Sequence, residues 1–240
     1  MYYGSYYGFD WTYLVLVLPC IILSLWASNS VNSTFKKYSK VHSVRHLTGA
    51  QAAQRVLSAN GVTGVQIQRI SGNLTDHFDP KTNVIRLSDP VYESTSVAAI
   101  GVACHEAGHA VQHAQHYAPI KLRAAIIPLT NFGSKLAMPL ILVGVLLSYL
   151  GNFSYALVYL GIACFSLSLI FQLVTLPVEF NASRRAMNAI ENAGLLTNEE
   201  QRGARRTLTA AAMTYVAATA VALAQLLRLI VLFGGRRRND

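Results

Sequence analysis

Apolar and polar stretches alternate along this chain on the length scale of a membrane-spanning helix. Four apolar runs occur, at residues 11–27, 137–150, 155–176 and 208–233. Only the sequence GNFS separates the second run from the third, which predicts a helical hairpin. The fourth run is rich in Ala and Thr and contains Arg228, so it would suit either a spanning helix or a helix packed against protein.

The polar segment between the first two runs begins with a predicted helix and strands. A capping-box spacing of Thr48 and Gln51 predicts a helix from about Gly49 to Asn60. Residues 65–69 then alternate with the period of a strand, and the sequence LTDHFDPKTNVIRLS predicts two strands joined by a turn at Asp79-Pro80. The second of these strands is expected at residues 84–88.

A longer helix is predicted next. The cluster Ser94-Thr95-Ser96 is a helix-start signal, and the sequence SVAAIGVACHEAGHAVQHAQ follows without a break. Pro119 is expected to end this helix, and Pro177, after the third apolar run, is expected to open another. The chain is therefore predicted to be mainly helical, with one small α+β region.

Composition and charge place the chain in a membrane. Hydrophobic residues make up 52% of it and charged residues 13%, and the net charge is +9. The basic residues flank the apolar runs and form no stripe interleaved with aromatics, so lipid headgroups are the expected partners and nucleic acid is not. The three cysteines imply no disulfide framework, and Cys104 is interpreted as a small core residue.

The positive charges predict an orientation. If all four runs span, one side holds residues 28–136 and 177–207 with sixteen Lys and Arg, and the other side holds three. The side with sixteen is expected to be cytoplasmic. The three are Arg236, Arg237 and Arg238, which would then lie outside, so the sequence alone leaves open whether the fourth run crosses.

The sequence HEAGH at residues 105–109 carries the strongest chemical signal. Residues four apart share a helix face, so His105 and His109 can bind one zinc ion through their imidazoles. Glu106, one position along, cannot join them as a ligand but can take a proton from a zinc-bound water. Gly108 leaves space beside the metal.

Two further histidines follow the motif. His113 repeats the spacing of four, but the helix rises about 12 Å between His105 and His113, which is too far for one tetrahedral ion. His113 is therefore expected to contact a ligand or to pack in the core, and His116 to be exposed or to cap the helix end.

A third ligand must come from another segment. Glu179, in the sequence LPVEFNASRRA, is a carboxylate expected at the membrane interface. Spacing alone leaves alternatives open. They are Asp76, His77, Asp79, Glu93 and Glu191.

Several separated segments resemble one known family in the same order. The segments VNSTFKKYSK, LTGAQAA, LTDHFDP, SVAAIGVACHEAGHAVQHA, LPVEFNASRRA and AAAMTYVAA are similar to the YugP-like membrane zinc metallopeptidases of bacteria, which are gluzincin-type enzymes distantly related to the HtpX-like proteases. The resemblance implies one zinc ion held by His105, His109 and Glu179, with Glu106 as the general base. HtpX-like enzymes usually carry an aspartate where this chain has Ser183, which leaves the hydrogen-bonding partner of the histidines open.

The resemblance also implies a fold and an activity. The fold is expected to be a mainly α membrane protein with about four membrane helices and a small α+β zincin-like catalytic domain around the HExxH helix. The function is expected to be hydrolysis of membrane-associated proteins or peptides at the cytoplasmic face of the bacterial cell membrane. His77, Arg184 and Arg185 are candidates for stabilising the transition state. A zinc-stabilised membrane adaptor or chaperone-like protein without hydrolytic activity is the alternative, and partner proteins or homo-oligomers are not identified.

The expected organisation has five parts. They are an N-terminal membrane anchor at 1–28, a cytoplasmic catalytic part at 29–136, a transmembrane hairpin at 137–176, a cytoplasmic segment with the third zinc ligand at 177–207, and a C-terminal membrane helix with a basic tail at 208–240.

Overall fold

The computed structural model describes residues 10–234. The first nine residues and the predicted basic tail at 236–238 lie outside this range. Seven α-helices and three strands occur in the described part, together with a π-helical stretch Tyr13–Val17 and a 3-10 turn Ser148–Leu150. The helices are α1 (Leu18–Tyr38), α2 (Gly49–Ala59), α3 (Asp89–Tyr92), α4 (Val97–Ala114), α5 (Ala118–Leu146), α6 (Asn152–Asn192) and α7 (Asn198–Gly234).

The fold is mainly helical with a small sheet, as predicted. The strands are β1 (Gln66–Ile70), β2 (His77–Asp79) and β3 (Val84–Ser88), in the order β1-β3-β2. Strand β3 pairs in parallel with β1 and antiparallel with β2. Strand β2 therefore lies at one edge of the sheet.

Within residues 10–234, four helical segments are long and apolar enough to cross a membrane. They cover Tyr13–Tyr38, Ala118–Leu146, Asn152–Asn192 and Asn198–Gly234. The helices are longer than the apolar runs in the sequence, because α5, α6 and α7 continue into polar residues at one end. The lengths and composition of these helices are thus those of a membrane protein.

The two proline predictions were wrong. Helix α4 ends at Ala114, His116 adopts a φ of 55°, and Pro119 lies in the first turn of α5, where its missing N–H has no helical acceptor to lose. Pro177 lies inside α6 and does not open a helix. A proline within a membrane helix is tolerated because neighbouring helices and local adjustments satisfy the freed backbone group.

The described chain divides into two compact units. One comprises residues up to Trp26, Ile126–Leu173 and the chain from Val216 onward. Its helices approach closely at glycines: a Cβ at Gly161 would lie 2.9 Å from the Ala137 carbonyl oxygen. Large apolar side chains cover much of its surface, as lipid-facing helices require.

The second unit comprises Ala27–Ala125 and Val174–Tyr215 and has its own core. Helix α2 begins with the predicted capping box, in which Thr48 accepts from the Gln51 N–H and Gln51 accepts from the Thr48 N–H. Its buried face, with Val56 and Leu57, packs in one apolar cluster with Ile85 of β3 and Ile100 of α4. This core fixes α4, and with it the histidine motif.

Candidate metal centre

Helix α4 presents the histidine motif to α6. The hydroxyl of Ser96 caps α4 by accepting from the Ala99 N–H, and the helix then continues through His105 and His109 to Ala114. Small residues let α6 come close: a Cβ at Gly108 would lie 2.7 Å from the Ala182 carbonyl oxygen. Position 108 must therefore be glycine for α4, which carries the two histidines, to pack this closely against α6.

Three predicted ligands meet at this contact. Potential ligand atoms of His105, His109 and Glu179 all lie within 4.8 Å of one another. The Oε2 atom of Glu179 is 3.2 Å from Nε2 of His105 and 3.3 Å from Nε2 of His109. Zinc–ligand bonds of about 2.0–2.1 Å at tetrahedral angles separate ligand atoms by about 3.3 Å. The donor set and its spacing thus fit a zinc ion.

Each histidine has a hydrogen-bond partner on its other ring nitrogen. Nδ1 of His105 lies 3.2 Å from the Ser183 hydroxyl, and Nδ1 of His109 lies 3.0 Å from Oε1 of Gln112. Since an amide oxygen only accepts, His109 must donate from Nδ1, which leaves its Nε2 lone pair for a metal. Ser183 occupies the place beside His105 that the comparison with HtpX-like enzymes had left open.

Gln112 ties the motif helix to α6. Its side chain is fully buried, and its amide group donates to the Val178 carbonyl at 2.8 Å and to Oδ1 of Asn181 at 2.9 Å. All polar atoms of this buried amide are therefore satisfied. Gln112 orients His109 and joins it to the helix that carries Glu179.

Glu179 has a second partner that the sequence analysis missed. Its Oε1 atom accepts from Arg123 of α5 at 2.9 Å, while the Glu179 side chain is 2% exposed. An unpaired arginine near the start of an apolar helix carries a large free-energy cost. The sequence therefore contained a reason to expect an acidic partner for Arg123. Arg123 leaves Oε2 to face the histidines.

The charges of the cluster affect His109. Burial alone would lower the pKa of His109, but the hydrogen bond that His109 donates to Glu179 and the negative charges of Glu106 and Glu179 raise that pKa above its ordinary value. A metal must displace the proton that this carboxylate environment favours. By contrast, burial raises the pKa of the Cys104 thiol, so Cys104 stays a neutral core residue beside the motif.

A cavity of about 310 Å³ opens beside the cluster. Both His105 and Glu106 line it, with Glu106 8% exposed. Tyr215 of α7 lines it as well, and its phenol interacts electrostatically with the Glu179 carboxylate. Sequence reasoning missed Tyr215, although it lies in the segment AAAMTYVAA that carries part of the family resemblance.

The structure does not bring the alternative third ligands into the cluster. Asp76 lines the cavity, but its carboxylate accepts from the N–H and hydroxyl of Ser88 at 2.7 and 2.8 Å, and burial raises its pKa. The others have separate positions: Asp79 pairs with Arg86, Glu93 pairs with Arg69, His77 contacts the Thr75 carbonyl, and Glu191 is exposed near the end of α6.

The remaining predicted site residues lie elsewhere in the unit. His113 is exposed and does not pack in the core as predicted; its ring lies beside that of Phe78, with the centroids 5.8 Å apart. Arg185 donates to Gln115 and Asn181, while Arg184 is exposed and lines a second groove. Neither arginine, nor His77, lines the cavity that contains Glu106.

In the described residues, three potential metal ligands, two of them buried, lie together in a chain with four candidate membrane helices. Comparisons with known proteins point to the same class of protein. The profile of the family described as "Putative neutral zinc metallopeptidase" matches residues 13–234. The chain is 46% identical over 228 residues to a protein of Bacillus subtilis (strain 168) named "Putative membrane protease YugP". This alignment covers 95% of the present chain and 99% of the Bacillus subtilis protein. This chain therefore belongs to the neutral zinc metallopeptidase family of that description. No solved structure matches it.

Proposed function

We propose that this chain is a membrane-embedded zinc endopeptidase in which Glu106 is the general base. The observation that carries the proposal is the convergence of His105, His109 and Glu179 in a geometry that fits zinc. Glu106 lines the same cavity as His105, so a carboxylate lies beside the place where a metal-bound water would be. Three protein ligands and one open position are typical of a catalytic zinc site.

Different residues of the chain would have different roles in hydrolysis. Bound zinc would supply a water of lowered pKa and polarise the scissile carbonyl. Glu106 would accept a proton from the attacking water and would donate it to the leaving amine. Gln112 and Ser183 hold the two histidine rings in the orientation that turns each Nε2 towards Glu179, where the three residues would hold the metal.

Tyr215 is the group we assign to the transition state. Tyr215 lines the cavity with Glu106, and its phenol interacts electrostatically with the Glu179 carboxylate. A hydroxyl donor beside the metal can stabilise the oxyanion of the tetrahedral intermediate. This assignment replaces His77, Arg184 and Arg185, which lie outside the cavity.

The edge of the sheet offers a place for substrate backbone. Leu74 and Asp76 line the cavity just before β2, and β2 has no strand on its outer side among the described residues. An extended peptide could add to this edge through main-chain hydrogen bonds. The proposed substrates are therefore extended segments of membrane-associated proteins.

We place the site on the cytoplasmic side of the cell membrane. The sixteen Lys and Arg of residues 28–136 and 177–207 support this orientation. The carboxylate of Asp10 binds the guanidinium of Arg228 at 3.0 Å, so the start of the first apolar helix and the far end of α7 lie side by side. If all four apolar helices cross the membrane, both termini lie on its outer side. Asp10 and Arg228 would then be near the same membrane face, which would explain their pairing.

The deciding experiment compares the wild-type protein with Glu106→Gln in lipid nanodiscs, with casein as the substrate. Cell membranes that contain either protein are analysed in parallel for cleaved protein fragments. The variant should keep zinc and lose hydrolysis by roughly 10²–10⁴-fold, because the proton acceptor is gone. Tyr215→Phe should also keep zinc and lower kcat. Glu191→Gln, which changes an exposed carboxylate on α6, is the matched control and should cleave at the wild-type rate.

Two results would reject the proposal. Cleavage by Glu106→Gln at the wild-type rate would remove the assigned base. If the wild-type protein and Glu106→Gln both retain the same membrane proteins and neither cleaves them, the zinc-stabilised adaptor is the better description.

A further inference from the structure

A second groove lies between α6 and α7, apart from the cavity that contains Glu106. Its volume is about 320 Å³, within the range of small-molecule sites, roughly 300–1,000 Å³. Leu208 is the one residue that lines both openings. The groove is lined by Phe180, Ser183, Arg184, Met187, Asn188, Arg205, Leu208, Thr209, Ala212 and Met213.

The charge of the groove is positive. Arg184 of α6 and Arg205 of α7 both line it, and no acidic residue in the described chain does. Neither arginine forms an ion pair with a described residue, whereas Arg123 and Arg228 each pair with a carboxylate. A guanidinium pair facing a common groove suits a phosphate group, which accepts bidentate hydrogen bonds.

The floor of the groove is apolar. Met187 and Leu208 are buried at 5% and 3% exposure, and Ala212 is buried beside them. Phe180, at the rim, is 48% exposed. A free phosphate would leave this apolar surface wet, whereas a ligand with an acyl chain would cover it.

The groove also lies at the polar boundary of both helices. Phe180 and Arg184 follow the apolar run that ends at residue 176, and Arg205 precedes the run that begins at residue 208. Arginine at the ends of apolar helices is where lipid headgroups are bound. The position, the charge and the floor therefore point to the same kind of ligand.

We propose that this groove binds the headgroup of an anionic phospholipid, with the phosphate on Arg184 and Arg205 and the first part of an acyl chain over Met187 and Leu208. Ser183 connects the groove to the metal centre, since it lines the groove and its hydroxyl lies 3.2 Å from Nδ1 of His105. A bound lipid would thus contact the residue that orients a metal ligand. Lipid binding itself does not depend on the proposed hydrolysis.

The test is native mass spectrometry of the purified full-length protein in detergent, titrated with short-chain phosphatidylglycerol or phosphatidylcholine. The wild-type protein should bind one phosphatidylglycerol at concentrations where phosphatidylcholine does not bind. Arg184→Gln/Arg205→Gln should weaken that binding roughly 30-fold, because each arginine near an anionic headgroup contributes about a factor of five. The control is Arg55→Gln/Arg202→Gln, which removes two exposed arginines outside the groove and should bind like the wild-type protein.

A second variant keeps both arginines. Thr209→Trp should fill the groove and block the lipid, and thermal unfolding and zinc content of each variant check that the protein is intact. Equal loss in the control double variant, or unchanged binding in Thr209→Trp, would overturn the proposal. So would full displacement of the lipid by equimolar inorganic phosphate, which would identify a free-phosphate site, or by hexaglutamate, which would identify a peptide site.

Discussion

Two glycine contacts between helices, Gly108 against Ala182 and Gly161 against Ala137, show how one packing device serves different purposes. At both, an added Cβ would lie within 3.0 Å of a backbone carbonyl oxygen, 2.7 Å at Gly108 and 2.9 Å at Gly161. At both contacts, therefore, the two helix backbones lie so close together that no side chain fits between them.

The surroundings of the two contacts differ. Around Gly161 the neighbours are apolar, with Ile141 in direct contact, and the approach serves packing. Around Gly108 the neighbouring positions carry His105, His109 and Glu179, and the approach brings ligand atoms from two helices to about 3.2–3.3 Å. Close packing is thus required at both places, but only at Gly108 does it also set a coordination distance.

The largest effect should come from removing the ligand on the second helix. Glu179→Ala should lower zinc affinity by more than about a hundredfold, since losing a ligand costs more than losing its hydrogen-bond partner. Zinc content after dialysis measures this. Glu191→Ala, an exposed carboxylate on the same helix, should keep zinc, and equal loss in both variants would show that α6 rather than the ligand is responsible.

The second-largest effect should come from changing the residues that orient the histidines. Gln112→Ala should weaken zinc binding about 10–100-fold, because it frees the His109 ring and leaves the Val178 carbonyl without its donor. Ser183→Ala should cost less, and Ser183→Asp should bind zinc more tightly than wild type. Competition with a chelating dye gives the affinities. Ser166→Ala, whose hydroxyl contacts only its own helix at the Ala163 carbonyl, is the control, and a loss there would contradict the assignment.

The smallest effect tests the comparison itself. Gly108→Ala and Gly161→Ala should each destabilise the protein by about 1–3 kcal/mol, because both overpack a helix contact. Only Gly108→Ala should also weaken zinc binding, by roughly tenfold if the α6 backbone moves and misplaces Glu179. Thermal unfolding and dye competition on the same samples separate the two effects. Zinc affinity that falls equally in both variants would refute the distinction.

Local features of the fold were predictable from the sequence. The capping box at Thr48 and the cap at Ser96 bond to residues three positions away, so their geometry is contained in a few residues. The strands β1 and β3 followed from alternation and turn residues. The prediction for Pro119 was wrong because a proline is accepted in the first turn of a helix as readily as after the end of one. The prediction for Pro177 was wrong because, inside a membrane helix, the effect of a proline depends on whether its neighbours satisfy the freed backbone group.

The candidate site was predictable in part. The spacing of His105 and His109 follows from helix geometry, and the family resemblance implied Glu179. Arg123 and Tyr215 were missed, since nothing in the residues around either of them shows that it interacts with Glu179. Their roles depend on Glu179, which is 56 residues from Arg123 in the chain.

The sequence by itself determined the membrane class, the helix that carries the motif, and the face on which two histidines stand, because periodicity and capping act over a few residues. Only the tertiary structure decided which carboxylate meets those histidines, which groups orient them, and that Arg184 faces a different groove. The physical reason is that these contacts depend on the distance between α4, α6 and α7. That distance is set by small residues such as Gly108 and Ala182, whose importance appears only when the helices are packed.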